Sequence, residues 1–323
     1  MIKTILKNKI PIENSKINFV FSGRVAINIL AKKFKKNATV LLPEYICNVV
    51  DKAFEEEYQI IRYSLNNKLE PSIQDLVNIL KSHNVDILLL ASLCGSGLFY
   101  EEIKNKKSKL HKLLMENNIE VIIDFAQDFY QINNLTLNND KYHYIFSFND
   151  KSFMGAMGAI IVTNSNLTND IGTRKLSLTQ KVVLSKDYLI KIIDCKLPNL
   201  LMSYRYIRGV KYMKSASCDL YEFSHCDNFP YSFVNYQISS IQLFFALIGI
   251  SRLKKYKKIK QQFLNNNKSI IADNRFIETA SFVVVNKVIA YRKQKKPYAL
   301  YNNKFDSLHP NIRIVHNKGF CDK

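Results

Sequence analysis

The chain has 323 residues, 47% of them apolar, enough to bury a sizeable core in one large domain with a smaller appendage. That apolar content and the lack of any low-complexity tract exclude a disordered chain. The net charge of +20 raises nucleic acid or a membrane surface as partners, but the lysines are scattered among abundant Asn and Ile. This reads as composition drift, or general attraction to phosphate-bearing ligands, rather than a nucleic-acid surface.

The cysteines (Cys47, Cys94, Cys195, Cys218, Cys226, Cys321) form no CxxC pair and keep no regular spacing with the histidines. A zinc site or disulfide framework is therefore not expected, and reduced thiols in a cytoplasmic protein are the simpler reading. The opening MIKTILKNKIPIENSK carries charges through its short apolar stretch and lacks a signal-peptide core. The longest apolar run, 238–250, is interrupted by Ser239, Ser240 and Gln242 and is too short to span a bilayer.

In chain order, INFVFSGRVAINILAKKF predicts a strand, a Ser-Gly turn and a helix. Ser22, Gly23 and Arg24 fall where that helix begins, so their backbone N–H groups are placed to receive a phosphate, or simply to form an N-cap and a turn. TVLLPEYICNVVDKAFEEE reads as a strand stopped by Pro43 and then a helix, with Tyr45 at the mouth of the turn as core packing or a ligand contact. YQIIRYSL reads as a strand. SIQDLVNILKSH has Ile73, Leu76, Val77, Ile79 and Leu80 at helical spacing.

DILLLASLCGSG is continuously apolar, as a central parallel strand buried on both faces should be, and ends in Ser92 to Gly97. Cys94 lies in that ending without a histidine placed to activate it, so packing is preferred over a nucleophilic role. A lysine-rich helix is expected over 101–117. Repeated strand and helix give a mainly parallel sheet flanked by helices, wound with right-handed crossovers, with its ligand site at the carboxyl ends of the strands.

Two segments stand out, EVIIDFAQDFYQ at 120–131 and YIFSFNDKSFMGAMGAIIVTN at 144–164. Each is an apolar strand that ends in a polar group, Asp124 in one and Lys151 in the other. An acid and an amine thus reach one edge of a sheet. Pyridoxal phosphate chemistry needs this pair: a lysine amine to hold the cofactor aldehyde as a Schiff base, and a carboxylate to keep the pyridine nitrogen protonated. Ser147, Ser152, Gly155 and Gly158 supply hydroxyls and unhindered backbone suited to a phosphate. Apolar surroundings for Lys151 would lower its pKa and favour the neutral, nucleophilic amine. His143 could be a general base paired with Asp124 or Asp150, but it begins an apolar strand without a partner at defined spacing, so a structural histidine is favoured. Hydrolase elbow, Walker and dinucleotide-binding motifs are absent from the sequence.

IIDFAQ followed by FSFNDKSFMGAMGAIIVTN resembles the core of the DegT/DnrJ/EryC1/StrS family, the pyridoxal-phosphate-dependent sugar aminotransferases of the type I fold. The resemblance implies Asp124 at the ring nitrogen, Gln127 at the phenolic oxygen, and Ser147 and Lys151 in the lysine motif. Ser22 and Gly23 match the first two positions of the family's phosphate-binding Ser-Gly-Thr, with Arg24 in the threonine position. Cys94 stands where relatives often carry an aromatic beside the ring. The family's lysine usually lies one residue further from the serine, and its glycine turn is richer than MGAMGA.

Beyond Asn164 the pattern loosens, with helical pieces and a basic-aromatic cluster of Arg174, Tyr204, Arg205, Tyr206, Arg208 and Lys211. That cluster suits single-stranded nucleic acid, a nucleotide-sugar diphosphate or plain helix packing. FVNYQISSIQLFFALIGISRLKKYKKIKQQFLNNN reads as one long amphipathic helix with a basic far end. It resembles the family's Asn-Tyr-Arg helix, which implies that Asn235 crosses a homodimer interface to the partner's cofactor phosphate; Gln237 replaces the arginine. SFVVVNKVIAYRK and onward read as two short strands of a shortened C-terminal α+β domain. The expected division is a cofactor-binding α/β domain over 1–232 and the long helix with the small domain over 233–323. The implied function is transfer of an amino group, from glutamate, to a nucleotide-linked keto sugar for bacterial surface polysaccharide. The departures at Arg24, Gln237, the lysine spacing and the C-terminus motivate an alternative, a catalytically silent binding or scaffold protein on the same fold.

Overall fold

The computed structural model of the chain describes residues 2–13, 16–44, 46, 48–54, 57–66, 70–93, 99–126, 128–135, 139–148, 158–167, 170–182, 185, 235–251, 282–286 and 312–316. After a short helix α1 (Ile2–Asn8), the elements run β1 (Ile17–Val20), α2 (Gly23–Lys33), β2 (Thr39–Pro43), α3 (Asn48–Phe54), β3 (Gln59–Tyr63), α4 (Ile73–Ser82) and β4 (Ile87–Ala91). There follow α5 (Phe99–Lys104), α6 (Lys109–Glu116), β5 (Glu120–Asp124), a 3-10 helix (Phe129–Asn134), β6 (Tyr142–Ser147) and β7 (Ala159–Val162).

The seven strands form one sheet in the order β1-β7-β6-β5-β4-β2-β3. Pairing is parallel from β6 across to β3, whereas β7 lies antiparallel to both β6 and β1. The expected mainly parallel sheet is therefore present, with one reversed strand inside it. The reversal follows from chain length: 148–158 is shorter than the dozen or so residues that a parallel crossover takes. β4 is buried along its whole length, and each of its leucines contributes roughly 1.5–3 kcal/mol by leaving water.

Helices cover both faces. In β6, Tyr142, Tyr144 and Phe146 face one side and His143, Ile145 and Ser147 the other. The first side packs on aromatic groups: Phe125 stacks on Phe146 at 5.4 Å between centroids, and Tyr100 meets Tyr144 edge-on at 6.0 Å. The second side lies under α2, where Phe34, its C-cap residue, touches the His143 ring at 5.7 Å.

His143 pairs with Glu120 and Thr163, partners that its sequence setting did not disclose, and not with Asp124. It is 1% exposed, with Nε2 2.8 Å from Glu120 Oε2 and Nδ1 2.8 Å from Thr163 Oγ1. Glu120 opens β5, so this cluster sits at the amino-terminal edge of the sheet, opposite the ligand edge. Burial alone would raise the Glu120 carboxyl, but hydrogen bonds and charge from His143 and Lys141 outweigh it and hold the group below its ordinary value.

Two helix expectations need correction. The helix expected over 101–117 is two, α5 and α6, separated at 105–108. Ser108 makes the break: its Oγ accepts the His111 N–H at 3.0 Å as the N-cap of α6 and donates to the Glu102 carbonyl at 2.8 Å. The helix expected from residue 233 begins at 240 and is described to 251. Asn235 and Gln237 instead flank Arg174: the Arg174 N–H donates to the Asn235 carbonyl, and the Gln237 N–H donates to that of Arg174. The two later strands are present as an antiparallel pair, β8 (Phe282–Asn286) and β9 (Ile312–His316). The expected domain boundary at 232/233 lies outside the described residues. Among the described residues no helix is long and apolar enough to cross a membrane.

Candidate functional site

Because β1 to β6 all run the same way, their carboxyl ends meet at one edge, joined there by the start of β7. That edge carries Ser22 after β1, Ser92 after β4, Asp124 at the end of β5, Ser147 at the end of β6 and Gly158 before β7.

Register brings several of them to one face. Asp124 pairs with Ala91 on one side and Ile145 on the other, and Ser147 lies two residues beyond Ile145. Alternation therefore points Asp124 and Ser147 to the same face of neighbouring strands. The same face receives the start of α2, since a Cβ at Gly23 would lie 3.6 Å from Ser147 Oγ. A carboxylate, a hydroxyl and a helix N-terminus are thus gathered at one end of the sheet.

Each position has a local cause. Asp124 is half-buried, and its Oδ1 accepts the Ala126 N–H at 2.8 Å, a turn that ends the strand and fixes the carboxylate. Its backbone carbonyl accepts the Ser92 N–H at 2.9 Å, which ties β4 to β5 at the edge. Ser22 caps α2: its Oγ accepts the Val25 N–H at 3.2 Å and its carbonyl accepts that of Ala26 at 3.0 Å. The N-cap reading is therefore realised. It leaves helix geometry to aim the N–H groups of Gly23 and Arg24 out of the first turn, with the positive end of the helix dipole.

Gly158 has φ +134°, and a Cβ there would come within 2.9 Å of both the Phe148 ring and Ile238 Cδ1. Its carbonyl accepts the Phe148 N–H at 2.8 Å, one step beyond the Ser147–Ala159 pair of β6 and β7. The sequence offered Gly158 as open backbone around a lysine; its observed place is a tight seat for Phe148.

Ser92 is the residue that sequence reasoning passed over. It is 2% exposed, and its Oγ has no hydrogen-bond partner among the described residues. A buried hydroxyl left without a partner at this edge is spare hydrogen-bonding capacity, on the face of the sheet opposite Asp124, which shares its face with Ala91. The signal in the sequence was only a serine ending an otherwise apolar strand.

Lys151, Cys94 and Gln127 lie outside the described residues, as do Tyr45, Ser152 and Gly155. Asn235 is described and exposed, ahead of the helix rather than on it. Of the basic-aromatic cluster, Arg174 is described; its guanidinium stacks 4.9 Å from the Tyr236 ring centroid. A carboxylate able to meet a protonated ring nitrogen, a helix start able to meet a phosphate, and the Ser147 hydroxyl on their shared face make a donor set that fits pyridoxal phosphate.

No protein-family model matches the sequence, and no curated protein sequence matches it. Solved structures do share its fold. One is histidinol-phosphate aminotransferase from Sinorhizobium meliloti in complex with pyridoxal-5'-phosphate, 9% identical with a TM-score of 0.56, the match covering 99% of this chain and 78% of that one. Another is aspartate aminotransferase from Thermotoga maritima, 12% identical with a TM-score of 0.52, covering 98% and 77%. A third is the pyridoxal-phosphate-bound C-S lyase from Staphylococcus hominis, 10% identical with a TM-score of 0.51, covering 96% and 74%. The mixed seven-stranded sheet and its flanking helices thus have the fold of the type I pyridoxal-phosphate-dependent aminotransferases.

Proposed function

We propose that the chain is a pyridoxal-phosphate-dependent aminotransferase that moves an amino group, from glutamate, to a keto sugar carried on a nucleotide. The observation that carries the reading is Asp124: a half-buried carboxylate at the carboxyl end of a central strand, on the face shared with Ser147 and the start of α2. Bound pyridoxal phosphate would supply a ring that withdraws electrons from the carbon bearing the amino group. In this reading the Asp124 carboxylate holds a proton at the ring nitrogen, and the Lys151 amine binds the cofactor covalently and then moves the α-proton as base and acid. Ser22, Gly23 and Ser147 take the phosphate, with Arg24 adding fixed positive charge. Gln127 meets the phenolic oxygen and Cys94 lies beside the ring. Asn235 reaches the site from a second subunit of a homodimer. The sugar-nucleotide substrate, the cytoplasmic setting and a role in bacterial surface-polysaccharide synthesis rest on the resemblance of the Asp124–Gln127 and Ser147–Lys151 motifs.

The test is catalytic. Protein loaded with cofactor, glutamate and a nucleotide-linked keto sugar should release 2-oxoglutarate in step with amino-sugar formation, and Lys151→Ala should release none. A folded, cofactor-loaded protein that binds the nucleotide sugar yet transfers no amino group from any donor would favour the silent binding protein instead.

A further inference from the structure

The turn that starts α2 is held from behind by a residue far away in sequence. Gln242, only 2% exposed, donates from Nε2 to the Phe21 carbonyl at 3.1 Å. Its Oε1 accepts from the Ser239 N–H at 2.9 Å and from the Ser239 hydroxyl at 3.0 Å. The Gln242 N–H in turn meets Ser239 Oγ at 3.3 Å, so Ser239 and Gln242 form a reciprocal cap on the helix that begins at 240. The donor set also fixes the amide: flipped, its Nε2 would face the Ser239 N–H and both groups would lose their partners.

Phe21 is the residue immediately before Ser22. Its carbonyl is pinned by Gln242, and its ring packs on that of Tyr236 at 6.3 Å between centroids. Both ends of the Ser22–Gly23 turn are therefore set: the front by the Ser22 cap on Val25, the back by a buried carboxamide. A buried amide committed on both of its polar atoms is costly to rearrange, which makes it an effective stop on movement of the turn.

We infer that Gln242 is a positioning residue for phosphate binding, holding the Phe21–Ser22 turn so that the N–H groups starting α2 meet the phosphate of the cofactor. The role rests on the cofactor reading above. It assigns to the helix beginning at 240 a function within its own subunit, separate from the inter-subunit contact expected of Asn235.

The experiment compares pyridoxal phosphate with pyridoxal, which lacks the phosphate, as ligands of the full-length protein. Gln242→Met keeps the bulk and removes all three hydrogen bonds of the side chain; Ser239→Ala removes the serine side of the cap and leaves the bond to Phe21. Gln242→Met should lower the affinity ratio of pyridoxal phosphate to pyridoxal by about three- to tenfold, the worth of one buried hydrogen bond. Ser239→Ala should lower thermal stability and leave the ratio in place. An unchanged ratio in Gln242→Met, or an equal fall in Ser239→Ala, overturns the positioning role while the cofactor reading survives. Wild-type protein that binds neither ligand overturns both.

A second readout needs no variant. Amide hydrogen exchange across 239–243 should slow on adding pyridoxal phosphate and not on adding pyridoxal. Equal protection by both ligands, or by neither, counts against the role.

Discussion

Gly158 offers the sharpest stability test, because its φ of +134° and its lack of space act together. An alanine there must either hold a backbone conformation that L-residues avoid, costing about 1–3 kcal/mol, or rotate and break the bond from the Phe148 N–H. Its Cβ would also lie 2.9 Å from the Phe148 ring and from Ile238 Cδ1. Phe148 is fully buried between Phe19, at 6.4 Å, and Phe129, at 5.8 Å, so the ring has little room to yield. Overpacking of this kind costs roughly a further 1–3 kcal/mol. Gly158→Ala should therefore lose about 2–6 kcal/mol in urea unfolding, the sum of the two effects. Gly23→Ala is the control: the new Cβ would meet Ser147 at 3.6 Å, ordinary contact, and stability should change by no more than about 1 kcal/mol. A loss at Gly158 under about 1 kcal/mol would refute the seating of Phe148.

Ser108→Ala should cost about 1 kcal/mol and speed amide exchange in the first turn of α6; an unchanged first turn would mean that the cap does not set the break. Glu120→Gln tests the cluster at the far edge. The folded Glu120 carboxyl lies below its unfolded value, so the stability it contributes is complete above the unfolded glutamate pKa and is lost as pH falls through the folded one. Wild type should exceed Glu120→Gln in unfolding free energy at pH 7, with the gap closing from about pH 5 downward. A gap that stays constant with pH would place the effect in packing rather than charge.

Strands were the most legible part of the chain, because β-branched and leucine runs such as ILLLA have no other stable place than a sheet interior. Asp124 was legible for the same reason, as the polar residue that ends such a run; the second run was expected to end at Lys151, whereas β6 ends at Ser147. Hidden was what depends on side chains overriding local pattern. The lysine-rich stretch after Glu101 keeps helical spacing through Asn105, so the break that Ser108 makes did not disturb the pattern. Likewise the apolar spacing around 236–250 continues upstream of the true helix start and masks the Ser239-x-x-Gln242 cap, although that spacing is itself a recognisable signature. The bond from Gln242 to Phe21 spans most of the chain and has no local signal. The place of β1 beside β7 is also non-local, since it depends on β7 reversing direction within the sheet.

The central claim is that Lys151 and Asp124 serve one bound cofactor, and the most direct measurement is the absorbance of purified protein mixed with pyridoxal phosphate, before and after borohydride. The account predicts a yellow band that borohydride bleaches, leaving a phosphopyridoxyl group on the peptide that contains Lys151. Lys151→Ala should show no such band, and Asp124→Ala should bind cofactor weakly. A folded wild-type protein with no band, or one labelled at another lysine, would contradict the account.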